Sequence, residues 1–179
     1  MKTIYQGDRI TILPITIEDT DRVVCWRNNP EVLRNFIDQQ TLTPEMHALW
    51  MEKKVQTGEV FQFIIHDHHT QTDIGSVFIR DIDLQHLHGE YGIFIGENTA
   101  RGLGLGTEAC RLICQFGFEE LGLERIFLRV LASNSGAIRS YEKVGFVKEG
   151  CFRKHLLLQG HWHDLIYMGL LKEEFNYEK

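Results

Sequence analysis

A chain of 179 residues, 43% apolar and 25% charged, has the composition of one soluble globular domain, spanning 1–179 and large enough to bury a core. Its formal charge of −6 argues against a general nucleic-acid binder, and no run approaches the roughly 20 apolar residues of a membrane helix. The opening MKTIYQGDRITILP lacks the apolar core of a secretion signal, and Cys25, Cys110, Cys114 and Cys151 match neither a zinc ribbon nor a CxxC pair, so ordinary buried thiols in a reducing cytoplasm are expected.

In chain order, ITILP (10–14) reads as the first strand, and residues 17–27 as a helix that Pro30 stops. Thr43 and Pro44 supply a hydroxyl cap and a first-turn proline for a helix running to about Thr57, where Gly58 ends it. VFQFIIH (60–66) and IGSVFIRDID (74–83) form a hairpin across a polar turn, and HGEYGIFIG (88–96) is a further strand. From Gly104 to Leu121 the period turns helical, with Leu105, Ala109, Leu112, Ile113 and Phe116 on one face and Gly122 at the end. RIFLRVL (125–131) is a strand, and Asn134 to Val144 a short helix closed by Gly145. FVKEGCFRKHLL (146–157) and HWHDLIYMGLL (161–171) make a last hairpin across Gln159-Gly160, which completes a mixed α/β domain.

The segment NTARGLGLGTEA (98–109) joins a strand to a helix N-terminus through three glycines in five positions. Unpaired N–H groups and the helix dipole make such a turn an anion site, and glycine removes the Cβ that would keep phosphate oxygens away. A Walker loop needs a lysine followed by Ser or Thr, but Gly106 is followed by Thr107-Glu108. A dinucleotide fingerprint needs its third glycine one residue later. Arg101-Gly102-Leu103-Gly104-Leu105-Gly106 instead resembles Arg/Gln-x-x-Gly-x-Gly/Ala, the pyrophosphate loop of the acetyl-CoA-dependent GNAT acetyltransferases. NSGAIRSYEKVGF (134–146) resembles that family's second signature, and the strand and helix order is similar throughout. WRNNPEV (26–32) and GHWHD (160–164) resemble the branch holding the ribosomal-protein, polyamine and amino-sugar acetyltransferases.

The resemblance implies a mostly antiparallel central sheet with helices on both faces, whose strands at Gly92–Gly96 and Phe127–Leu131 splay to admit the pantetheine arm. It implies acetyl-CoA as co-substrate and direct attack by an amine in a ternary complex. The main chain of Arg101, Gly102, Leu103, Gly104, Leu105, Gly106 and Thr107 would take the pyrophosphate, and an N–H near Phe94 and Ile95 would polarise the thioester. Asn134 would contact the pantetheine arm, and Tyr141 would protonate the departing thiolate. Glu90 sits where relatives carry a glutamate and is the candidate base or water-orienting group, with His88 on the same strand face as a lesser one.

The acceptor should lie opposite the cofactor, against Arg27, Asn28, His47 and Trp50. Glu31, Asp38 and Glu45 suit a polyamine, but Arg27 and His47 repel a polycation and suit an anionic or hydroxyl-rich amine such as an amino sugar. Protein N-termini and polyamines are rival acceptors, and an acyl-CoA sensor a non-enzymatic rival. The histidines of HDHH (66–69) read as turn residues, and His161 with His163 make half a zinc site at most, so no metal is expected. The partners expected are acetyl-CoA and a small amine, with no nucleic acid and no membrane; a homodimer is compatible.

Overall fold

The computed structural model describes residues 4–177. Eight strands form one sheet: β1 (Tyr5–Gln6), β2 (Ile10–Pro14), β3 (Phe61–Asp67), β4 (Thr72–Asp83), β5 (His88–Ile95), β6 (Arg125–Leu131), β7 (Val147–Leu158) and β8 (His161–Leu171). Their spatial order is β1-β2-β3-β4-β5-β6-β8-β7, antiparallel everywhere except between β5 and β6. The helices are α1 (Thr20–Asn28), α2 (Pro30–Leu33), α3 (Pro44–Trp50), α4 (Leu105–Glu119) and α5 (Ser135–Val144).

The larger core lies under α4 and α5. There the Phe116 ring meets Tyr5, Phe61 and Phe63 at centroid distances of 5.8, 5.3 and 5.1 Å. Gly117 lets α4 settle on the sheet, since a Cβ there would lie 2.8 Å from the Cδ1 atoms of both Ile126 and Ile79. A smaller core on the opposite face joins Val23, Trp26, Val32 and Met51 of the N-terminal helical segment to Ile64 and Phe94 of the sheet. Helices therefore cover both faces, and among the described residues none is long and apolar enough to cross a membrane.

Several boundaries differ from the sequence reading, each for a local reason. α1 ends at Asn28, ahead of Pro30 as expected, but Pro30 also opens α2, because Asn29 caps it by accepting the Glu31 N–H at 3.0 Å. The helix begun at Thr43 is α-wound only to Trp50 and widens into a π turn over Met51–Val55. The two-residue β1 is too short for any periodic signal. Asn28, expected to touch the acceptor, spends both ends of its amide on the main chain of Leu42, at 2.8 Å each. It braces the segment between α2 and α3 instead.

Candidate active site

The parallel junction is where the sheet opens. β5 and β6 pair only at His88↔Arg125, Gly89↔Ile126 and Glu90↔Phe127, although β5 continues to Ile95 and β6 to Leu131. β8 holds β6 along its whole length and β4 holds β5, so both strands stay extended while their facing edges part. The gap is a cavity of about 960 Å³ reaching from the glycine loop to the N-terminal helices, a size that suits a cofactor and a small acceptor together.

Alternation of backbone hydrogen bonds along β5 decides which amides face the gap. The Gly96 N–H goes to Ile74 O on the β4 side at 2.8 Å, while Arg101 Nε and Nη2 reach Ile95 O at 3.1 and 3.0 Å. Even-numbered residues therefore bond β4, and Ile93 and Ile95 turn their N–H groups to the open edge. This corrects the expectation for Phe94, whose main chain faces β4. Its ring packs between Trp26 and Phe36, 6.3 and 5.8 Å away.

Beyond β5 the glycine loop turns into α4. Gly102 and Gly104 hold φ of +75° and +83°, a region costly to any side chain, and Gly104 is the N-cap of α4. The first bonds of the helix run from the Thr107 and Glu108 N–H groups to Gly104 O, so the Leu105 and Gly106 amides precede any intrahelical acceptor. Gly102, Gly104, Gly106, Thr107 and Arg101 line the cavity. Leu103 and Leu105 do not: one side chain is exposed and the other buried in the core, so only their main chains can serve. Arg9 braces the loop by donating to Leu103 O at 2.8 Å and to Glu108 Oε2 at 3.0 Å.

The glycine loop and α5 meet through Thr107 Oγ1 and Ser140 Oγ, 2.7 Å apart. Asn134 caps α5 by accepting the Ala137 N–H at 3.2 Å while still lining the cavity. Two turns further, the Tyr141 ring stands edge-on to Tyr91, 5.6 Å away at 84°, and against Phe146 at 6.1 Å. Its hydroxyl has no hydrogen-bond partner among the described residues, and the side chain lines the cavity. Burial, with Cys110 beside it, pushes the phenol pKa well above 10 and keeps the proton in place at neutral pH.

At the far end, three strands converge on Glu90. Arg129 donates to both carboxylate oxygens at 2.8 Å, and Arg80 Nε donates to Oε2 at 3.1 Å. Burial alone would raise the pKa of Glu90, but the hydrogen bonds from Arg129 and the two positive charges outweigh it and hold the carboxyl below its usual range. Neither arginine was picked out from the sequence. Arg80 lies directly across the hairpin from Glu90, so the β4–β5 register would have found it, but Arg129 needs the third strand. Arg27, His47 and Trp50 line the same chamber. Trp50 Nε1 is held by Gln62 Oε1 at 3.2 Å, and Gln62 in turn by Ser76 Oγ at 3.0 Å. His88 lies outside this chamber, between His86 and Phe127 at 6.4 and 5.8 Å.

Of the histidines expected in the β3–β4 turn, His66 instead lies within β3, where its Nδ1 bonds Asp73 at 2.8 Å, and His68 in the turn bonds Thr11 through Nε2 at 2.8 Å. Among the described residues, no three His, Cys, Asp or Glu gather around one point as metal ligands would.

Comparison with known proteins places the chain in a family. Residues 9–147 match the model of the acetyltransferase (GNAT) domain. The chain is 34% identical over 175 residues to the putative ribosomal N-acetyltransferase YdaF of Bacillus subtilis, covering 96% of this chain and 90% of that one. It is 29% identical over 177 residues to the SPbeta prophage-derived uncharacterized N-acetyltransferase YokL of the same organism, covering 97% and 96%. Its fold superposes on spermidine N-acetyltransferase from Vibrio cholerae, solved with CoA and spermine, with TM-score 0.87, 21% identity and coverage of 94% and 98%. The chain belongs to the GNAT family of N-acetyltransferases, enzymes that draw their acetyl group from acetyl-CoA.

Proposed function

We propose that this enzyme acetylates a primary amine on a small polar metabolite, an amino sugar first among the classes, by direct attack within a ternary complex in the cytoplasm. The observation that carries the reading is the continuity of one cavity from the glycine loop, past Tyr141, to the arginine-rich chamber at Glu90. The Leu105 and Gly106 amides, at the positive end of α4, suit the pyrophosphate. The open-edge N–H groups of Ile93 and Ile95 suit the pantetheine amides and the thioester carbonyl. Tyr141 has no protein partner for its proton and would give it to the leaving sulfur.

Glu90 keeps the water-orienting half of its expected role. A carboxylate that already accepts three N–H bonds and sits below its usual pKa is a poor proton acceptor. The chamber instead carries Arg27, Arg80 and Arg129, whose positive charge favours the neutral, nucleophilic form of a bound amine.

Two measurements test this reading. Gly106 has no positive φ, and a Cβ there would lie 3.8 Å from its nearest neighbours, on Ile93 and Ile95, so Gly106→Glu adds charge without backbone strain. Its acetyl-CoA affinity by calorimetry is expected to fall more than about tenfold at unchanged melting temperature, and normal affinity would remove the loop from the site. Gly104→Glu is a poorer probe, because strain at φ +83° would be confused with lost binding. The second is a turnover screen of amino sugars, polyamines and N-terminal peptides; spermidine outperforming every amino sugar would overturn the acceptor assignment. The 34% identity to YdaF, named a putative ribosomal N-acetyltransferase, makes a protein N-terminal amine the second reading, and the peptide arm of the same screen decides it.

A further inference from the structure

We propose that the acceptor carries an anionic group, a carboxylate or a phosphate, and that Arg27 and His47 hold it in the chamber between α1 and α3. The proposal rests on the acetyltransfer reading of the cavity and narrows it to a class of amine. His47 is 3% exposed, its Nδ1 lies 3.0 Å from Thr20 Oγ1, and its Nε2 is buried with no partner. Arg27 Nε is likewise buried with no partner, and its guanidinium lies 3.6 Å from the Phe36 ring centroid, flat surface on one side and cavity on the other. Arginine can only donate, so a guanidinium that lines the cavity with no carboxylate at ion-pair distance among the described residues suits an oxygen acceptor from outside the protein. If the Thr20 hydroxyl donates to Nδ1, the His47 Nε2 is a second donor in the wall of the same chamber. Burial first, and the charge of Arg27 after it, lower the pKa of His47, which matches a neutral ring placed beside the guanidinium.

Of the three carboxylates that line the chamber among the described residues, two are held by arginines. Glu90 is shared by Arg80 and Arg129, and Glu31 pairs with Arg34 at 2.8 Å. Asp38 accepts the Gln40 N–H and forms no ion pair within 4 Å among the described residues, though its charge acts on Arg27 from further off. Nothing here offers a polycation a row of free carboxylates, whereas a planar guanidinium with a neighbouring N–H donor suits two oxygens of one anion. The anion would also offset the cost of bringing an amine into a positively charged chamber, where that amine stays neutral and reactive.

The test uses the intact enzyme saturated with CoA, so that the glycine loop cannot bind the probe. Calorimetric titrations compare glucosamine 6-phosphate with glucosamine, and alanine with its methyl ester, with spermidine as the polycation. At least one anionic member should bind tenfold or more tightly than its neutral partner, and the pair that responds identifies phosphate or carboxylate. Arg27→Gln should erase that preference. Equal binding within both pairs, tighter binding of spermidine, or an unchanged preference in Arg27→Gln would overturn the proposal. Turnover with acetyl-CoA is measured separately: selective anion binding without acetylation would refute the acetyltransfer reading while leaving the anion site standing.

Discussion

Replacing Tyr141 by phenylalanine is expected to lower kcat by about 100- to 10,000-fold, the range for losing a general acid, while acetyl-CoA affinity stays within twofold of wild type. The two effects separate because of where the hydroxyl sits. The ring makes the packing contacts, with Tyr91 and Phe146, and phenylalanine keeps them. The oxygen bonds nothing among the described residues, so its removal strands no buried partner and melting temperature should hardly move. The pH profile gives a second reading. Because the phenol pKa is raised well above 10, Tyr141 stays protonated through pH 9, and the wild-type rate should show no alkaline fall below that point from this group. Stopped-flow release of free thiol measures both. Wild-type turnover in the variant would make Tyr141 a packing residue and return the proton to solvent.

Much of this molecule was legible because its signals are local. β6 and β8 fall where the apolar runs placed them, and Asn134 and Gly145 cap α5 as their chemistry requires, Gly145 at φ +118°. What failed was ambiguous over the same few residues. A proline can end one helix and begin another; Pro30 does both, and the second helix is revealed only by the Asn29 cap, seen in three dimensions. The polar run after Trp26 reads equally well as ligand-binding or structural. The structure splits it, since Arg27 lines the cavity whereas Asn28 is tied to Leu42. Glu90 was found as a residue but not as a charge state. Its two arginines come from β4 and β6, 10 positions before it and 39 after it, a separation no local pattern spans. The N–H direction at Phe94 is a parity question, answered only by the register with β4.

Replacing Glu90 by glutamine is expected to cost about 3 kcal/mol of stability, the lower end for breaking a buried ion pair, because Arg80 and Arg129 are themselves partly solvated. The carboxylate side chain is 4% exposed, and its loss leaves two guanidinium groups facing one neutral amide, whose NH2 cannot accept from either. The sign with pH follows from the lowered pKa. Glu90 contributes its stability above about 4.5, the unfolded value, and that contribution disappears as pH falls through the lower folded value. Glu90→Gln should therefore melt lower at neutral pH and approach the wild type as both are acidified. Asp81 is the carboxylate to watch in that comparison, since it stands 3.7 Å from Arg80, and burial together with the neighbouring Glu90 carboxylate raises its own pKa. Removing one guanidinium together with the carboxylate distinguishes the two roles open to Glu90. If it is a charge that holds the arginines and orients water, Glu90→Gln with Arg129→Gln should regain part of the lost stability and of kcat/KM. If it takes the ammonium proton itself, the double variant stays as slow as the single one, and the acidic limb of the pH–rate profile vanishes from both.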